Sequence, residues 1–287
     1  KEIFFIERII YKMPHTLLPE LAQDYTRLRE YFQALDTDGI AIAYSGGVDS
    51  TLLLKVACEA SSRPVLAVIL ETELHPHSEI ETAVAMAKKL KAECTVIHVD
   101  EFQDPQILQN PVNRCYLCKH LLFTQLQQLA HANGRMAVCD GTNKDDEKQY
   151  RPGMLVLKEL GIHSPLRELG FTKQRIRELS AALSLPTASA PSAPCLATRL
   201  PYGAFLDRKL LTNIHKGEEA IRQMGFYNVR LRYHEPVLRI EIDRASFPDL
   251  LAKSEIIVSK LKRLGFLYVT LDLEGFRSGS MDLSLSI

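Results

Sequence analysis

The sequence predicts an α/β fold with a parallel sheet, followed by a smaller α+β domain at the C-terminal end. From Gly39 onward, short apolar runs typical of buried strands alternate with stretches of helical periodicity. A stretch with four prolines, residues 186–203, then interrupts this alternation without a period of its own. Beyond it the order changes to helix, two strands, helix and strand. We therefore expect an N-terminal extension and helix over 1–30, a main domain over 31–200 and a C-terminal domain over 201–287.

Four apolar runs of the main domain are predicted to be buried strands, because Val, Ile and other apolar residues fill them. They cover residues 39–44, 65–70, 94–100 and 136–141. In parallel sheets, ligands bind beyond the carboxyl ends of the strands. The crevice that we expect at this edge is lined by Ser45, the residues after Leu70, Asp140 and Gly141.

Helical periodicity fills intervals between the strands and continues beyond the sheet. In the main domain the predicted helices cover 78–90, 118–132 and, after the cap residue Thr172, the stretch up to Pro186. In the C-terminal domain the predicted order is helix 208–224, strand 229–234, strand 237–242, helix 248–264 and strand 268–273. The two adjacent strands, joined at Glu235-Pro236, predict an antiparallel hairpin.

Length and composition are those of an ordinary globular protein and argue against two classes of partner. The 287 residues are 46% hydrophobic and 24% charged, and 35 basic residues balance 35 acidic ones. This balance argues against a nucleic-acid surface, and no apolar run has the length of about eighteen residues that a membrane span needs. Six unevenly spaced cysteines indicate a reducing cytoplasm rather than a disulfide framework. One hypothesis is that Met13 is the natural start and that the residues before it are an extension.

The stretch AIAYSGGVDSTLLLK, residues 41–55, predicts a strand, a glycine turn and a helix N-terminus. Asp49 or Ser50 stands where a capping side chain would accept free amide hydrogens. This arrangement presents backbone N–H groups and the positive end of a helix dipole to an anion, so we expect a phosphate there. The glycine spacing fits neither the dinucleotide fingerprint nor the Walker A loop, and no lysine follows the glycines.

The motif SGGVDS, residues 45–50, resembles the PP-loop of the ATP pyrophosphatase superfamily, whose members cleave ATP to AMP and pyrophosphate. The resemblance implies a main domain of the adenine nucleotide alpha-hydrolase-like type that binds ATP with Mg²⁺. In such a site a carboxylate or amide oxygen attacks the α-phosphorus. The residues implied to hold the pyrophosphate part of ATP are Ser45, Gly46, Gly47, Asp49 and Ser50.

Three of the six cysteines lie outside the regular apolar pattern and suggest chemistry. Cys115 and Cys118 form a C-x-x-C pair directly before a predicted helix, and Cys195 lies in the proline-rich stretch. From the residues alone, the pair fits half a zinc site, a redox pair, part of an iron–sulfur site or a chance spacing. Three thiolates suit a [4Fe–4S] cluster in which one iron is left open.

Six segments together resemble the LarE family of ATP-dependent sulfur transferases, which build the nickel-pincer nucleotide cofactor. They read NPVNRCYLCK, DGTNKDDEKQYRPG, SPLRELGFTKQRIRELS, PSAPCLATRLPYG, VRLRYH and GFRSGSMD, and the resemblance runs from about Phe32 to Met281. It implies a small-molecule substrate, pyridinium-3,5-biscarboxylic acid mononucleotide, whose carboxylates are adenylated and then converted to thiocarboxylates. It also implies that Cys115, Cys118 and Cys195 hold a [4Fe–4S] cluster that delivers sulfide.

Further site residues are expected on the same basis, together with a cytoplasmic homo-oligomer. The residues expected to touch nucleotide or metal follow a strand end and are Asp140, Asn143, Asp146 and Arg151. Guanidinium groups bind phosphates and carboxylates bidentately. The candidates for binding those groups of the substrate are Arg199, Arg230 and Arg232. One departure from the family pattern is Gln149, where an acidic residue is expected.

Four other interpretations stay open on the sequence. In a sacrificial variant, Cys195 gives up its own sulfur and each protein molecule works once. A tRNA thiolase would also join a PP-loop to a three-cysteine cluster, although the balanced charge argues against RNA. An ammonia-using amidating enzyme would leave the three cysteines unexplained. A non-catalytic sensor would bind AMP at the loop and zinc at the cysteines.

Overall fold

The computed structural model describes residues 17–36, 39–75, 80–148, 153–189 and 195–277 of the chain. Three positions that the sequence singles out lie outside these described residues: Met13, Gln149 and Arg151. None of the helices within the described ranges is long and apolar enough to cross a membrane.

The described elements alternate between helix and strand in the first two thirds of the chain. They are α1 (Pro19–Leu35), β1 (Ile40–Ala43), α2 (Val48–Ala60), β2 (Leu66–Thr72), α3 (Ile80–Lys89), β3 (Glu93–Val99), α4 (Pro105–Leu108), α5 (Arg114–Ala132), β4 (Ala137–Cys139), α6 (Gly153–Glu159), α7 (Pro165–Glu168) and α8 (Lys173–Ala182). After a short turn of 3-10 helix, Leu196–Arg199, follow α9 (Arg208–Arg222), β5 (Arg230–His234), β6 (Val237–Glu241), α10 (Phe247–Ala252), α11 (Ser254–Arg263) and β7 (Tyr268–Leu271).

The first sheet has four parallel strands in the order β3-β2-β1-β4, which confirms the predicted α/β class. Strands β1, β2 and β4 are mainly apolar and buried because helices cover both faces, whereas the edge strand β3 alternates between exposed and partly buried residues. Ile40 and Ile42 of β1 face a core that α1, α2 and α8 complete, whereas Ala41 faces a core with residues of α5 and α6. The strand order reverses direction at β1, between β2 and β4, which is where parallel sheets open a crevice for ligands.

The second sheet has the order β5-β6-β7 and contains the predicted antiparallel hairpin, β5 and β6, with β7 added parallel to β6. Helix α9 lies very close to this sheet at Gly217. A Cβ atom built there would approach the side chains of Leu231 to 2.6 Å and Leu261 to 2.9 Å, so a larger residue would force these two side chains to move. Leu74 and Ile107, which come from the first part of the chain, belong to the core of this second unit.

Three local predictions are wrong. Helix α2 begins at Val48 with Gly47 as the cap residue, so Asp49 and Ser50 lie inside the first turn instead of capping it. Helix α5 begins at Arg114 and therefore includes both cysteines of the C-x-x-C pair. The helix predicted over 248–264 is two helices, because Lys253 leaves the helical backbone (φ −102°, ψ 10°) between α10 and α11. The predicted domain boundaries at 30 and 200 stay predictions.

Candidate active site

The loop after β1 has the geometry of an anion site. Gly46 has φ +76°, a conformation that favours glycine, and a Cβ there would also come within 3.0 Å of Ala83. The cap residue Gly47 has no side chain to accept hydrogen bonds from the first amides of α2, so these amides are free to bind an anion. The hydroxyls of Ser45 and Ser50 lie 3.1 Å apart across the turn, and the Ser45 hydroxyl accepts a hydrogen bond from the Gly47 amide at 3.3 Å.

A cavity of about 760 Å³ opens directly beside this loop, at the carboxyl ends of β1, β2 and β4. Its apolar lining residues include Ala43, Val68, Leu70 and Phe123. The polar and charged side chains that line it are those of Ser45, Asp49, Ser50, His75, Lys119, Asp140, Thr142, Asn143, Asp145, Asp146 and Lys173. The structure therefore brings together Ser45, Asp49, Ser50, Asp140 and Asp146, all of which the sequence singles out.

Two lysines in the cavity wall are not foreseen by the sequence motifs. The ammonium group of Lys173 donates to the Asp49 carboxylate, whose other oxygen accepts from Asn143 Nδ2 at 3.4 Å. The ammonium group of Lys119 lies 3.3 Å from Asp140 Oδ2. Cations thus reach the cavity from α8 and α5 rather than from the residues after the glycines. The only local signals are the cap Thr172 before Lys173 and the C-x-x-C pair before Lys119.

The carboxylate of Asp140 is held in place by neighbouring side chains. Asp140 is only 4% exposed. Its Oδ1 atom accepts a hydrogen bond from the Ser164 hydroxyl at 2.7 Å, and its Oδ2 atom accepts from the Thr142 hydroxyl. Asp146, in contrast, turns one carboxylate oxygen back to the amide of Asn143 at 2.9 Å. Both carboxylates are therefore held at defined places in the cavity lining.

The three cysteines singled out by the sequence share one electrostatic environment. Cys115 is exposed and Cys118 and Cys195 are partly buried. Burial and the neighbouring Cys195 thiol raise the pKa of Cys118, while burial raises the pKa of Cys195 against the opposing charge of Arg114. The neighbouring Cys115 thiol also contributes to raising the pKa of Cys118 and of Cys195. Cys118 and Cys195 also pack against the same hydrophobic core, and Cys115 stands three residues before Cys118 on α5. The three thiols therefore belong to one region, although they come from two segments about 80 residues apart.

The three thiols of Cys115, Cys118 and Cys195 are not arranged as a preformed metal site. Within the described ranges, no three side chains of His, Cys, Asp or Glu stand close enough together to hold a metal ion. The donor chemistry nevertheless fits iron, because thiolates are the usual ligands of iron–sulfur clusters. The fit is therefore one of residue type and neighbourhood, not of preformed coordination.

The thiols adjoin the cavity without forming its wall. Lys119, which lines the cavity, directly follows Cys118 on α5. On the other side, the Leu196 amide donates to the Leu74 carbonyl at 2.7 Å, which places Cys195 next to the segment that carries His75. His75 lines the cavity and its Nδ1 atom lies 2.8 Å from the Thr72 hydroxyl. Lys119 and His75 therefore lie between the cavity and the thiols, and a substrate that uses both has to extend past these two side chains.

A buried carboxylate that the sequence does not single out stands beside the thiols. Glu101 is 1% exposed and contributes to the electrostatic environment of both Cys118 and Cys195. Its Oε2 atom accepts from the Glu73 amide at 3.2 Å, whereas its Oε1 atom has no hydrogen-bond partner among the described residues. Burial raises its pKa. Its position directly after a strand end gives no sequence signal of this role.

Two of the three candidate arginines are paired with buried glutamates and support the turn that carries Cys195. Arg199 forms a two-point ion pair with Glu218, at 2.8 and 3.0 Å, and donates to the Cys195 carbonyl at 3.2 Å. Arg232 pairs with Glu241 at 3.1 Å and donates to the Thr198 carbonyl at 2.5 Å. Both glutamates are fully buried.

The third candidate, Arg230, has a different environment. Burial lowers its pKa to about 10, and the neighbouring guanidinium of Arg199 contributes to this shift. In the part of the chain that the structure describes, Arg230 forms no salt bridge with a carboxylate; it donates to the Val229 carbonyl at 2.7 Å and lies over the Phe276 ring. A cation beside other cations would gain from a bound anion.

Comparisons with known proteins agree with this architecture. The family model described as NAD synthase matches residues 20–113. An uncharacterized protein of Synechocystis sp. is 38% identical over 261 residues, which cover 90% of this chain and 97% of that protein. The pyridinium-3,5-bisthiocarboxylic acid mononucleotide synthase of Lactiplantibacillus plantarum is 36% identical over 252 residues, covering 88% of this chain and 91% of that protein. The structure of NMN synthetase from Francisella tularensis matches with a TM-score of 0.50 at 20% identity, over 60% of this chain and 75% of that chain, and shows the fold alone.

Proposed function

Because the chain belongs to the LarE family, that of the pyridinium-3,5-bisthiocarboxylic acid mononucleotide synthase, we propose that it is an ATP-dependent sulfur transferase. Its substrate is the corresponding biscarboxylic acid mononucleotide, whose carboxylates become thiocarboxylates. The observation that carries the proposal is the neighbourhood of two features: a PP-loop cavity and a group of three thiols, separated by Lys119 and His75. An adenylating site and a sulfur source need to be adjacent for this reaction.

ATP binding uses both the apolar and the polar residues that line the cavity. The apolar residues Val68, Leu70 and Phe123 provide a surface for the adenine ring. The phosphates lie at the amides of the loop after β1 and at the N-terminus of α2. Mg²⁺ is commonly held by one or two carboxylates together with substrate phosphates, and Asp49 and Asp146 face the cavity in a way that suits this. When bound, Mg²⁺ would neutralise phosphate charge.

Adenylation makes the substrate carboxylate reactive. A carboxylate is a poor acyl donor because its oxygen is a poor leaving group. Its oxygen attacks the α-phosphorus of ATP, the bond to the β-phosphate oxygen breaks, and pyrophosphate leaves. The amides of the loop and the ammonium of Lys173 stabilise the negative charge that develops on the phosphates. Lys119, on the side of the cavity towards the thiols, is placed to bind the AMP group of the acyl adenylate.

Sulfur transfer takes place on the side of Cys195. A sulfur nucleophile attacks the acyl carbon, the carbon–oxygen bond to AMP breaks, and AMP leaves with the electron pair of that bond. Cys115, Cys118 and Cys195 are the residues that would hold a [4Fe–4S] cluster, which would supply sulfide when bound. Arg199 and Arg232 fix the backbone of the turn after Cys195 through the carbonyls of Cys195 and Thr198.

A sacrificial route remains the second candidate for the sulfur source. In it the Cys195 thiolate itself attacks the acyl carbon and AMP leaves, which forms a thioester. Loss of the Cys195 α-proton then breaks the Cβ–Sγ bond, so that the thiocarboxylate leaves with the sulfur and dehydroalanine remains in the chain. The observation that favours it is the arrangement of the described residues, which contain no three ligand side chains close enough to hold a metal ion. Both routes require the same adenylated substrate and the same position of Cys195.

The mononucleotide phosphate or the second carboxylate is bound by arginine. Of the three candidates, Arg230 has no salt bridge with a described carboxylate, whereas Arg199 and Arg232 are already paired with Glu218 and Glu241. We assign Arg230 as the principal anion-binding side chain. Arg199 and Arg232 then support the surface on which the substrate lies.

Pyrophosphate release tests the proposal. The wild-type chain is expected to release pyrophosphate from ATP only when the biscarboxylic acid mononucleotide is present. Asp49→Asn should reduce this release at least about tenfold, because the site loses one of the two carboxylates that are proposed to hold Mg²⁺. Asp243→Asn, which changes an exposed carboxylate outside the cavity, serves as the matched control. Release of pyrophosphate at an equal rate without the mononucleotide would exclude this substrate.

A further inference from the structure

Arg114 is a buried cation without a carboxylate counter-ion in the described structure. It is 2% exposed, and no salt bridge joins it to any described Asp or Glu. Its Nη2 atom lies 3.6 Å from the Cys115 sulfur, and its Nη1 atom donates to the neutral amide of Asn110. A buried, unpaired guanidinium is costly, since arginine stays charged and the charge loses its hydration. The structure must therefore compensate this charge in another way.

The ionisable group in direct contact with Arg114 is a thiol, since the Arg114 Nη2 atom lies 3.6 Å from the Cys115 sulfur. The thiols of Cys118 and Cys195 also contribute to the electrostatic environment of Arg114, whose burial opposes its charge. Cys115 lies next to Arg114 in sequence and Cys118 one turn further along α5, whereas Cys195 comes from a distant segment. Arg114 thus stands between the two segments that supply the three thiols.

A chain of contacts fixes the guanidinium in this position. Asn110, which accepts from Arg114, is fully buried and donates through Nδ2 to the Pro201 carbonyl at 2.8 Å. The Asn110 carbonyl in turn accepts from the Gly203 amide at 2.8 Å. The guanidinium also lies 6.0 Å from the centre of the Tyr202 ring. These contacts tie the start of α5 to the segment just after Cys195.

We propose that Arg114 is a positioning residue of the sulfur site, whose fixed positive charge makes the potential at Cys115 more positive and attracts anionic reagents to that sulfur. The use of this charge in sulfur transfer rests on the proposed function. The effect of the Arg114 charge on reagents does not rest on the proposed function, because the charge attracts any anion that approaches Cys115. The two statements can therefore fail separately.

Alkylation of Cys115 measures this charge directly. In the full chain with reduced, metal-free thiols, the rate of modification by iodoacetate, an anion, is divided by the rate with neutral iodoacetamide, and mass spectrometry identifies the modified cysteine. Both reagents react with the same thiolate, so the ratio cancels the thiolate fraction and reports the local potential. Removing one charge at the distance of the Arg114–Cys115 contact should lower the ratio about fivefold in Arg114→Gln.

Two further variants separate charge from structure. Arg114→Lys keeps the charge and loses the planar hydrogen-bonding fork, so its ratio should stay within about twofold of the wild type. Arg135→Gln removes a guanidinium whose hydrogen bonds lie at the opposite edge of the sheet, with Pro64 and Glu93, and should leave the ratio unchanged. An unchanged ratio in Arg114→Gln, or an equal fall in the Lys and Gln variants, would overturn the proposal.

A measurement on the wild type alone guards against a variant that does not fold. The Cys115 ratio is compared with that of N-acetylcysteinamide in the same buffer, at low and at high salt. The proposal expects a higher ratio for Cys115, which falls towards that of the small thiol as salt screens the charge. A ratio no higher than that of the small thiol at low salt would contradict the proposal. Neither experiment involves ATP or sulfur transfer, so neither depends on the proposed reaction.

Discussion

The ammonium group of Lys173 donates a hydrogen bond to the carboxylate of Asp49, although 124 positions separate the two residues. This contact joins the start of α8 to the first turn of α2. It places a cation at the glycine turn, whose own residues 45–50 include no lysine or arginine. Asp145 completes the arrangement by accepting from the Lys173 amide at 2.8 Å.

Replacing Lys173 with Met should weaken ATP binding. A charged hydrogen-bond donor to phosphate contributes roughly 1.5–3 kcal/mol, so the KM for ATP in pyrophosphate release should rise about tenfold to a hundredfold. Lys144→Met is the control, because the Lys144 side chain is 50% exposed and pairs with Glu147 outside the cavity. Equal KM values for ATP in the two variants would show that Lys173 does not contribute to ATP binding.

Replacing Cys195 with Ala should separate the two halves of the reaction. The PP-loop cavity does not include Cys195, so the substitution should hardly change the free energy of ATP binding or adenylation. Pyrophosphate release should therefore stay within about threefold of the wild-type rate. Thiocarboxylate formation should fall below detection. Cys94→Ala, on the edge strand β3, should leave both activities intact. A Cys195→Ala protein that still forms thiocarboxylate would show that the sulfur reaches the substrate by another route.

Replacing Arg230 with Gln should affect the mononucleotide and not ATP. The lost two-point contact with an anion predicts an increase of about tenfold or more in the KM for the mononucleotide. The KM for ATP should change by less than about twofold, because Arg230 does not line the ATP cavity. Arg263→Gln, at the exposed end of α11, is the matched control. If both KM values rise together, Arg230 acts on the structure of the site as a whole.

Replacing Glu218 with Ala should destabilise the protein strongly. Glu218 is fully buried and bonds to Arg199, Arg222 and the Leu231 amide, so its loss removes the carboxylate that pairs with the buried guanidinium of Arg199. Breaking a buried pair typically costs about 3–5 kcal/mol in the free energy of unfolding. The neighbouring Glu219→Ala, whose side chain is 44% exposed, should cost less than about 1 kcal/mol. Urea unfolding at pH 7 measures both values, and equal losses would contradict the buried-pair account.

The Glu218 contribution should also depend on pH in one direction. Burial alone would raise the pKa of Glu218, but the hydrogen bonds and charge of Arg199 outweigh this and lower it below 4.5. A carboxylate with a depressed folded-state pKa stabilises the protein fully above its unfolded-state pKa, and this contribution disappears as the pH falls through the folded-state value. The difference in unfolding free energy between wild type and Glu218→Ala should therefore shrink below pH 4.5. A difference that grows on acidification would mean that the sign of the shift is wrong.

Local sequence patterns predict most of the sheet and much of the loop. The strands are apolar runs between turn residues, and the glycine pair follows β1 directly, so strand identity and the place of the ligand crevice can be read from short segments. The parallel order follows from the alternation of strand and helix. The capping prediction failed because the loop leaves Gly47, not a capping side chain, at the start of α2.

Residues that long-range contacts bring to the site could not be predicted in the same way. Lys173, Lys119 and Arg114 stand in helices whose polar residues look like ordinary solvent-exposed side chains, and only the packing of α5 and α8 against the sheet brings them to the cavity and the thiols. The burial of Glu218 and Glu241 could not be predicted either, because nothing in the local sequence pattern shows that arginines will be buried beside them.

The most direct test of the central claim is the mass of the mononucleotide after reaction. Wild-type protein is incubated with ATP, Mg²⁺, the biscarboxylic acid mononucleotide and sulfide, and the product is analysed by mass spectrometry beside that of Cys195→Ala. The account predicts replacement of carboxylate oxygen by sulfur with the wild type only, while the variant still releases pyrophosphate. A mononucleotide that keeps all its oxygen atoms, or gains nitrogen in the presence of ammonia, while the wild type releases pyrophosphate would contradict the account.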